Sequence, residues 1–270
     1  MLNYLLVLAY DGTAYHGFQF QKNALTIQEL LEKNLSNIYR KKIKVVAAGR
    51  TDSGVHARGQ VANFFAPPLP HLTPQQLIRA LNRLLPKDLA ILRAGIVPAD
   101  FHARRDARAK IYTYTIDNGP AVDPFCRHYA WHIPFPLDIE AMRTGARLFV
   151  GTHDFKAFQS AGGTVKTTVR TLFSLKVEQK NKLIILTFKG EGFLYKMVRS
   201  ITGTLMEVGR NRRKPQEMRG ILAGRERRKA GMTAPAKGLC LEKVLYDKIL
   251  PEPVGLNREP VLNGFIPDET

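Results

Sequence analysis

Residues 48–57 read Ala48-Gly-Arg-Thr-Asp-Ser-Gly-Val-His-Ala57. Gly49 and Gly54 frame a polar core of Arg50, Thr51, Asp52 and Ser53. Apolar, strand-like runs stand on either side, Lys44 to Ala48 and Gln60 to Phe65. Glycine reaches backbone angles that other residues resist, so the spacing predicts a tight loop between two strands. In an extended chain alternate side chains share a side, which would set Arg50 beside Asp52. A guanidinium there keeps a carboxylate ionised and aims it, and an aimed carboxylate can act as nucleophile or base. Asp and Gly also populate ordinary Asx turns, and Arg–Asp pairs also merely tie loops together. Spacing alone leaves the two readings open.

Outward from this loop the chain alternates strands and helices. Tyr4 to Tyr10 is an apolar run stopped by Asp11-Gly12, a strand and its turn. Thr26-Ile-Gln-Glu29 predicts a capping box, leading into Ile27, Leu30, Leu31, Leu35 and Ile38 at helical spacing. Thr73-Pro-Gln-Gln76 predicts a second helix start, with Leu77, Ile78, Leu81, Leu84 and Leu85 as its buried stripe and Pro86 as its stop. Ala90 to Val97 predicts a further strand. Arg108 to Asp117 alternates, with Tyr112, Tyr114 and Ile116 on one face. Ile139 to Phe149 predicts a helix, and Val169 to Glu178 with Leu183 to Lys189 a hairpin around Asn181-Lys182. Met197, Val198, Ile201, Leu205 and Val208 mark another helix, and Leu239 to Tyr246 a last strand. The class is α+β, a mixed α/β chain of two halves, residues 1–105 and 106–248, followed by a Pro-, Asn- and Glu-rich tail at 249–270. Two sheets joined edge to edge would leave a cleft between the halves, a usual place for a ligand.

Charge narrows the function. Lys and Arg total 41 against 23 Asp and Glu, a formal +18. Such a surface attracts polyanions, nucleic acid first among them, although a solvated basic face or an anionic membrane would also fit. Cys126 and Cys240 have no CxxC spacing, and His56, His102 and His153 share no ligand spacing, so no metal is expected. Met1-Leu-Asn-Tyr-Leu-Leu-Val-Leu reads as a strand and not as a signal peptide. No apolar run approaches the ~20 residues of a membrane span. These features fit a protein of the reducing cytoplasm.

Gly49-Arg-Thr-Asp-Ser-Gly-Val-His-Ala57 closely resembles the signature of the TruA family of tRNA pseudouridine synthases. Further segments match that family in the same order. They are Tyr10-Asp-Gly-Thr-Ala-Tyr-His-Gly-Phe-Gln19, Thr26-Ile-Gln28, Phe101-His-Ala-Arg104, Tyr112-Thr-Tyr114, Gly151-Thr-His-Asp-Phe155, Phe193-Leu-Tyr-Lys-Met-Val-Arg199 and Ala234-Pro-Ala-Lys-Gly-Leu239. So many motifs in register, reaching almost to Tyr246, are far more specific than any one of them. Phe18 stands where the family often has Trp, a change at a packing position.

The resemblance implies the pseudouridine synthase fold, two similar α/β halves with antiparallel sheets around a central cleft. By motif position Asp52 matches the catalytic aspartate and Arg50 the arginine that holds the flipped nucleotide. Tyr112 matches the aromatic on the target base, and Arg199 the basic partner of the carboxylate, with Leu194 and Val198 near it. The implied substrate is tRNA at its anticodon stem-loop, and the implied assembly is a homodimer. Isomerising uridine needs neither redox chemistry nor phosphate energy, so no cofactor is implied. RNA contacts are expected from Arg58, Arg104, Arg105 and Lys110, and from the strips Arg210 to Lys214 and Arg225 to Lys229. Two rival readings share the charge pattern. One is a non-catalytic RNA-binding protein. The other is a metal-dependent nuclease built on Asp11, Asp52 and Asp154, which would need those carboxylates to converge.

Overall fold

The computed structural model describes residues 1–163, 165–247 and the backbone of Val254 and Gly255. The predicted tail therefore lies outside the described residues, except for that two-residue strand.

In the first half β1 (Leu2–Tyr10) runs into a short 3-10 turn at Gly12–Ala14. Helix α1 (Ile27–Tyr39) follows, with Thr26 Oγ1 accepting from Glu29 N–H at 3.3 Å. Then come β2 (Val45–Ala47), β3 (His56–Ala66), α2 (Pro74–Leu84) and β4 (Leu89–Val97). The helix start read at Thr73 is a full capping box with Gln76, both reciprocal bonds being present, whereas the box expected at Thr26 has only its Thr26 half among the described residues. Leu77, Ile78 and Leu81 are buried as the helical period requires, whereas Leu84 is 53% exposed. Leu84 is the last helical residue, and the chain turns away there before Pro86.

The second half begins with β5 (Ala107–Asp117) and the two-residue β6 (Trp131–His132). Helix α3 (Ile139–Arg147), β7 (Gly151–Asp154), β8 (Val169–Lys180) and β9 (Leu183–Gly190) come next. The hairpin turns through Asn181, whose φ of 53° lies in the left-handed region that Asn tolerates. Helix α4 (Met197–Gly209), helix α5 (Glu217–Gly224) and β10 (Leu239–Tyr246) complete it, and Val254–Gly255 forms β11.

All strands share one sheet, in the order β11-β4-β1-β3-β10-β5-β9-β8-β7, with β2 on β3 and β6 on β5. Pairing is antiparallel save for β6 on β5 and β10 on β3. The last long strand, β10, therefore joins the halves: Cys240 and Leu241 pair with His56 and Ala57 on one side, and Leu239 to Tyr246 run against β5 on the other. The crossover between halves is pinned by a buried amide chain. Asn3 Nδ2 donates to Pro98 O and Phe101 O, Asn63 Nδ2 to Asn3 Oδ1, and Ala103 N–H to Asn63 Oδ1, all within 3.0 Å. Each buried amide is thereby satisfied, so the crossover enters β5 in one geometry.

Candidate active site

The Gly49–Gly54 loop leaves β2 and reaches β3 against the turn after β1. Phe18 N–H donates to Thr51 O at 3.1 Å, Gly54 N–H to Tyr15 O at 3.2 Å, and Ser53 Oγ to Tyr15 O at 3.3 Å. Gly17 makes this approach possible. Its φ is +86°, and a Cβ there would lie 2.5 Å from Thr51 O. Beneath the loop Tyr10 Oη and Thr51 Oγ1 are 2.9 Å apart, and buried Gln60 donates to Gly49 O at 2.8 Å. His56 ties the loop's end to the second half. Its Nδ1 accepts from Gly12 N–H at 3.0 Å, which leaves Nε2 to donate to His128 O and Lys237 O at 3.1 Å.

Asp52 emerges from this packed base with its side chain 20% exposed. Arg199, in the first turn of α4, meets it: Arg199 Nη1 donates to Asp52 Oδ2 at 2.9 Å. Arg199 is itself aimed, since its Nε donates to Ala234 O at 2.7 Å and its backbone O accepts from Ala234 N–H at 3.1 Å. The segment carrying Ala234 can lie on α4 because residue 203 is glycine; a Cβ there would sit 1.9 Å from Met232 O. Among the described residues Asp52 Oδ1 makes no hydrogen bond. One oxygen is held, and the other is available to a substrate.

Asp52 lies on the wall of a cleft of about 860 Å³ at the join of the halves, and Arg199 backs it. The loop forms one side, β5 the floor, and the turn into α4 the other side. Tyr112, on β5, is buried to 7% exposure, and its ring meets Phe193 edge-on at 5.2 Å. Burial, with the charge of Asp52 adding to it, pushes the Tyr112 phenol far above its ordinary value, so the hydroxyl keeps its proton.

The structure thus brings Asp52, Tyr112, Arg50, Arg104 and Lys110 into the lining of one cleft, with Arg199 behind Asp52. Arg50, however, is exposed and makes no ion pair among the described residues. Arg199, not Arg50, is the guanidinium on Asp52; residues 50–52 lie between β2 and β3, outside either strand. Arg58 and Arg105 do not line the cleft. Arg58 pairs with Glu242 across β3 and β10 at 3.2 Å, and Arg105 is exposed on the turn after His102.

The predicted basic strip at 225–229 is largely occupied, and that at 210–214 only at Arg213. Arg213 pairs with Glu207 at 2.5 Å, Arg225 with Asp154 at 3.1 Å, and Arg228 and Lys229 with Glu226 at 2.6 and 2.7 Å. Asp11, Asp52 and Asp154 do not converge: Asp11 accepts from Thr13 and Tyr129, Asp52 from Arg199, and Asp154 from Thr168.

Two cleft residues escaped sequence reading. Arg170 opens β8 within an ordinary strand pattern. Phe193, given no role of its own in the sequence, is only partly buried and leans over the cleft onto Tyr112. Its place at the head of the motif that carries Arg199 was the available signal.

Comparison with known proteins supplies the family. A family model described as tRNA pseudouridine synthase matches residues 6–106 and 146–247. The tRNA pseudouridine synthase A of Thermoanaerobacter sp. (strain X514) is 44% identical over 246 residues, covering 91% of this chain and 100% of its own. That of Brevibacillus brevis is 47% identical over 240 residues, covering 89% and 98%, and that of Shouchella clausii 45% over 254 residues, covering 94% and 95%. Among solved structures, one from a Cbf5-Nop10-Gar1 complex overlaps 81% of this chain and 46% of its own at a TM-score of 0.35 and 13% identity, too slight a likeness to argue from. Sustained identity over nearly the whole length, with the motif residues gathered in one cleft, means that the chain belongs to the TruA family of tRNA pseudouridine synthases.

Proposed function

We propose that the protein is an isomerase that converts uridine to pseudouridine in tRNA, with Asp52 as its nucleophilic carboxylate. The Arg199–Asp52 pair carries this reading, because Arg199 holds Asp52 on the wall of a cleft that Tyr112 also lines. The reaction breaks the N1–C1′ bond, turns the uracil and rejoins it through C5. Three routes use the same carboxylate: attack at C1′, attack at C6, or removal of the C2′ proton. In each, Arg199 orients Asp52 through Oδ2, and Oδ1 faces the nucleoside. Tyr112, with its phenol protonated, offers an aromatic surface to the uracil, a contact of ~1–3 kcal/mol for base–aromatic stacking. Walls on both sides retain the freed base.

A paired uridine must leave its stack to enter the cleft, and the cations around the rim hold the backbone meanwhile. Uridines of the anticodon stem-loop are the substrate that the family resemblance implies. It also implies a homodimer, and tRNA as a substrate implies a cytoplasmic setting. Among the described residues no helix is long and apolar enough to cross a membrane.

Asp52→Asn keeps the shape and removes the charge. Pseudouridine formation in tRNA should fall on the order of 10⁴-fold while tRNA affinity stays within a few-fold. Turnover that survives the substitution would remove Asp52 from the chemistry. A wild-type chain that binds tRNA and never isomerises it would favour the non-catalytic RNA-binding reading.

A further inference from the structure

Lys110 is the anomaly of the cleft. It lies on β5, half-buried, with its methylenes against the backbone of Gly49; a Cβ on Gly49 would sit 3.2 Å from Lys110 Cε and 3.8 Å from Nζ. Among the described residues its ammonium has neither a hydrogen-bond acceptor nor a carboxylate. Its charged neighbours are cations: Arg104, before β5, and Arg170, at the start of β8. Arg50 in turn bears on Arg104. Burial, and then these two like charges, lower Lys110 to about 8. Within a cleft of like charge the described residues offer the ammonium's three donors no acceptor, which leaves them to solvent or to a bound anion.

Arg170 is built to face the same space. Its Nη1 donates to Thr167 O at 2.9 Å and Val169 O at 2.5 Å, fixing one edge of the guanidinium. Its Nε and Cδ lie along Gly192, 3.8 Å from where a Cβ would stand. Both residues line the cleft that holds Asp52, and Gly49 is three positions from it. An RNA backbone entering that cleft supplies the missing acceptor, since a phosphodiester is an anion of the right size with free oxygens.

We propose that Lys110 and Arg170, with Arg104 at the rim, form a clamp for a single phosphodiester flanking the uridine that reaches Asp52. This rests on the cleft taking a nucleotide, and it adds a fixed anchor for the strand on the β5–β8 side. The clamp positions the nucleotide and takes no part in bond making.

The test pairs protein and RNA changes. A tRNA stem-loop is made with one neutral methylphosphonate linkage, placed in turn on either side of the target uridine. Binding is measured to the wild type, Lys110→Gln, Arg170→Gln and Lys110→Arg. At one of the two positions the neutral linkage should weaken wild-type binding about tenfold and either Gln variant by less than about twofold, with Lys110→Arg behaving as wild type. Full, multiplying penalties at both positions would overturn the clamp. Arg170→Gln gives the answer independently if Lys110→Gln unfolds. Normal pseudouridine formation without this coupling would sink the clamp alone. Coupling without any pseudouridine would sink the proposed reaction alone.

Discussion

The two ends of α4 carry ion pairs of similar depth and different consequence. At its start Arg199 meets Asp52, with side chains 13% and 20% exposed. Just past its end Arg213 meets Glu207, at 25% and 22%. The far pair is surrounded by partners: Glu217 also lies 3.8 Å from Arg213, and Arg210 sits over the Phe135 ring at 4.6 Å. The near pair opens onto a cleft in which Asp52 keeps one oxygen unbonded and the nearby cations lack carboxylates. An ion pair of ordinary geometry becomes a candidate site when its surroundings are left uncompensated, because only then does a charged substrate gain more than water offered. The same contrast separates the basic residues. In the 210–214 and 225–229 strips Arg213, Arg225, Arg228 and Lys229 pair with Glu207, Asp154 or Glu226, whereas no cation lining the cleft pairs with a carboxylate among the described residues.

Removing each pair in turn tests this contrast most severely. Arg199→Gln and Arg213→Gln should each cost about 1–2 kcal/mol of stability in denaturant unfolding. Only Arg199→Gln should slow pseudouridine formation, by about 10²- to 10³-fold. Comparable slowing by Arg213→Gln would erase the distinction between the two ends. Among unpaired and paired cations the expected difference is smaller. Lys110→Gln or Arg170→Gln should weaken tRNA binding roughly tenfold and lower the salt slope by about 1, against less than about twofold for Arg228→Gln. Equal losses measured over a salt series would mean that RNA reads the whole basic surface and not the cleft. The smallest effect is on pH. Lys110 of the free protein carries its charge below about 8 and loses it above, with Arg104 and Arg170 the charged groups bearing on it. tRNA affinity should therefore decline a few-fold as pH rises from about 7 to 9, and Lys110→Gln should flatten that decline. A wild-type curve already flat over that range would show that the Lys110 charge is not used.

Much of the fold was legible because its longer elements obey strong local rules. The helix start at Thr73, the alternation through Tyr112, Tyr114 and Ile116, and the Asn181 turn all formed as read, while the capping box read at Thr26 formed by half. Elements that escaped were short or poor in signal. Strands β6 and β7 have two and four residues, and α5 contains Gly220 and ends at Gly224. Strand β3 begins at His56 and not Gln60, since β10 pairs with His56 and Ala57 from the far end of the chain. The site divides the same way. The Gly-framed loop is local and readable, but its contact with Arg199 spans 147 positions, and no periodicity reports such a distance. Family resemblance named that residue; only coordinates give the 2.9 Å bond, the exposed Arg50 and the part played by Arg170.

The parallel pairing of β10 on β3 sets a timetable for the nascent chain. While the ribosome is still adding the last segments, the first half lacks the neighbour that seals β3, and α4 lacks the Ala234 carbonyl that steers Arg199. A polypeptide released short of residue 234 would lack both the carbonyl that steers Arg199 and the strand that joins β3 to β5. Completion of the cleft thus waits on the segment from Ala234 through Tyr246.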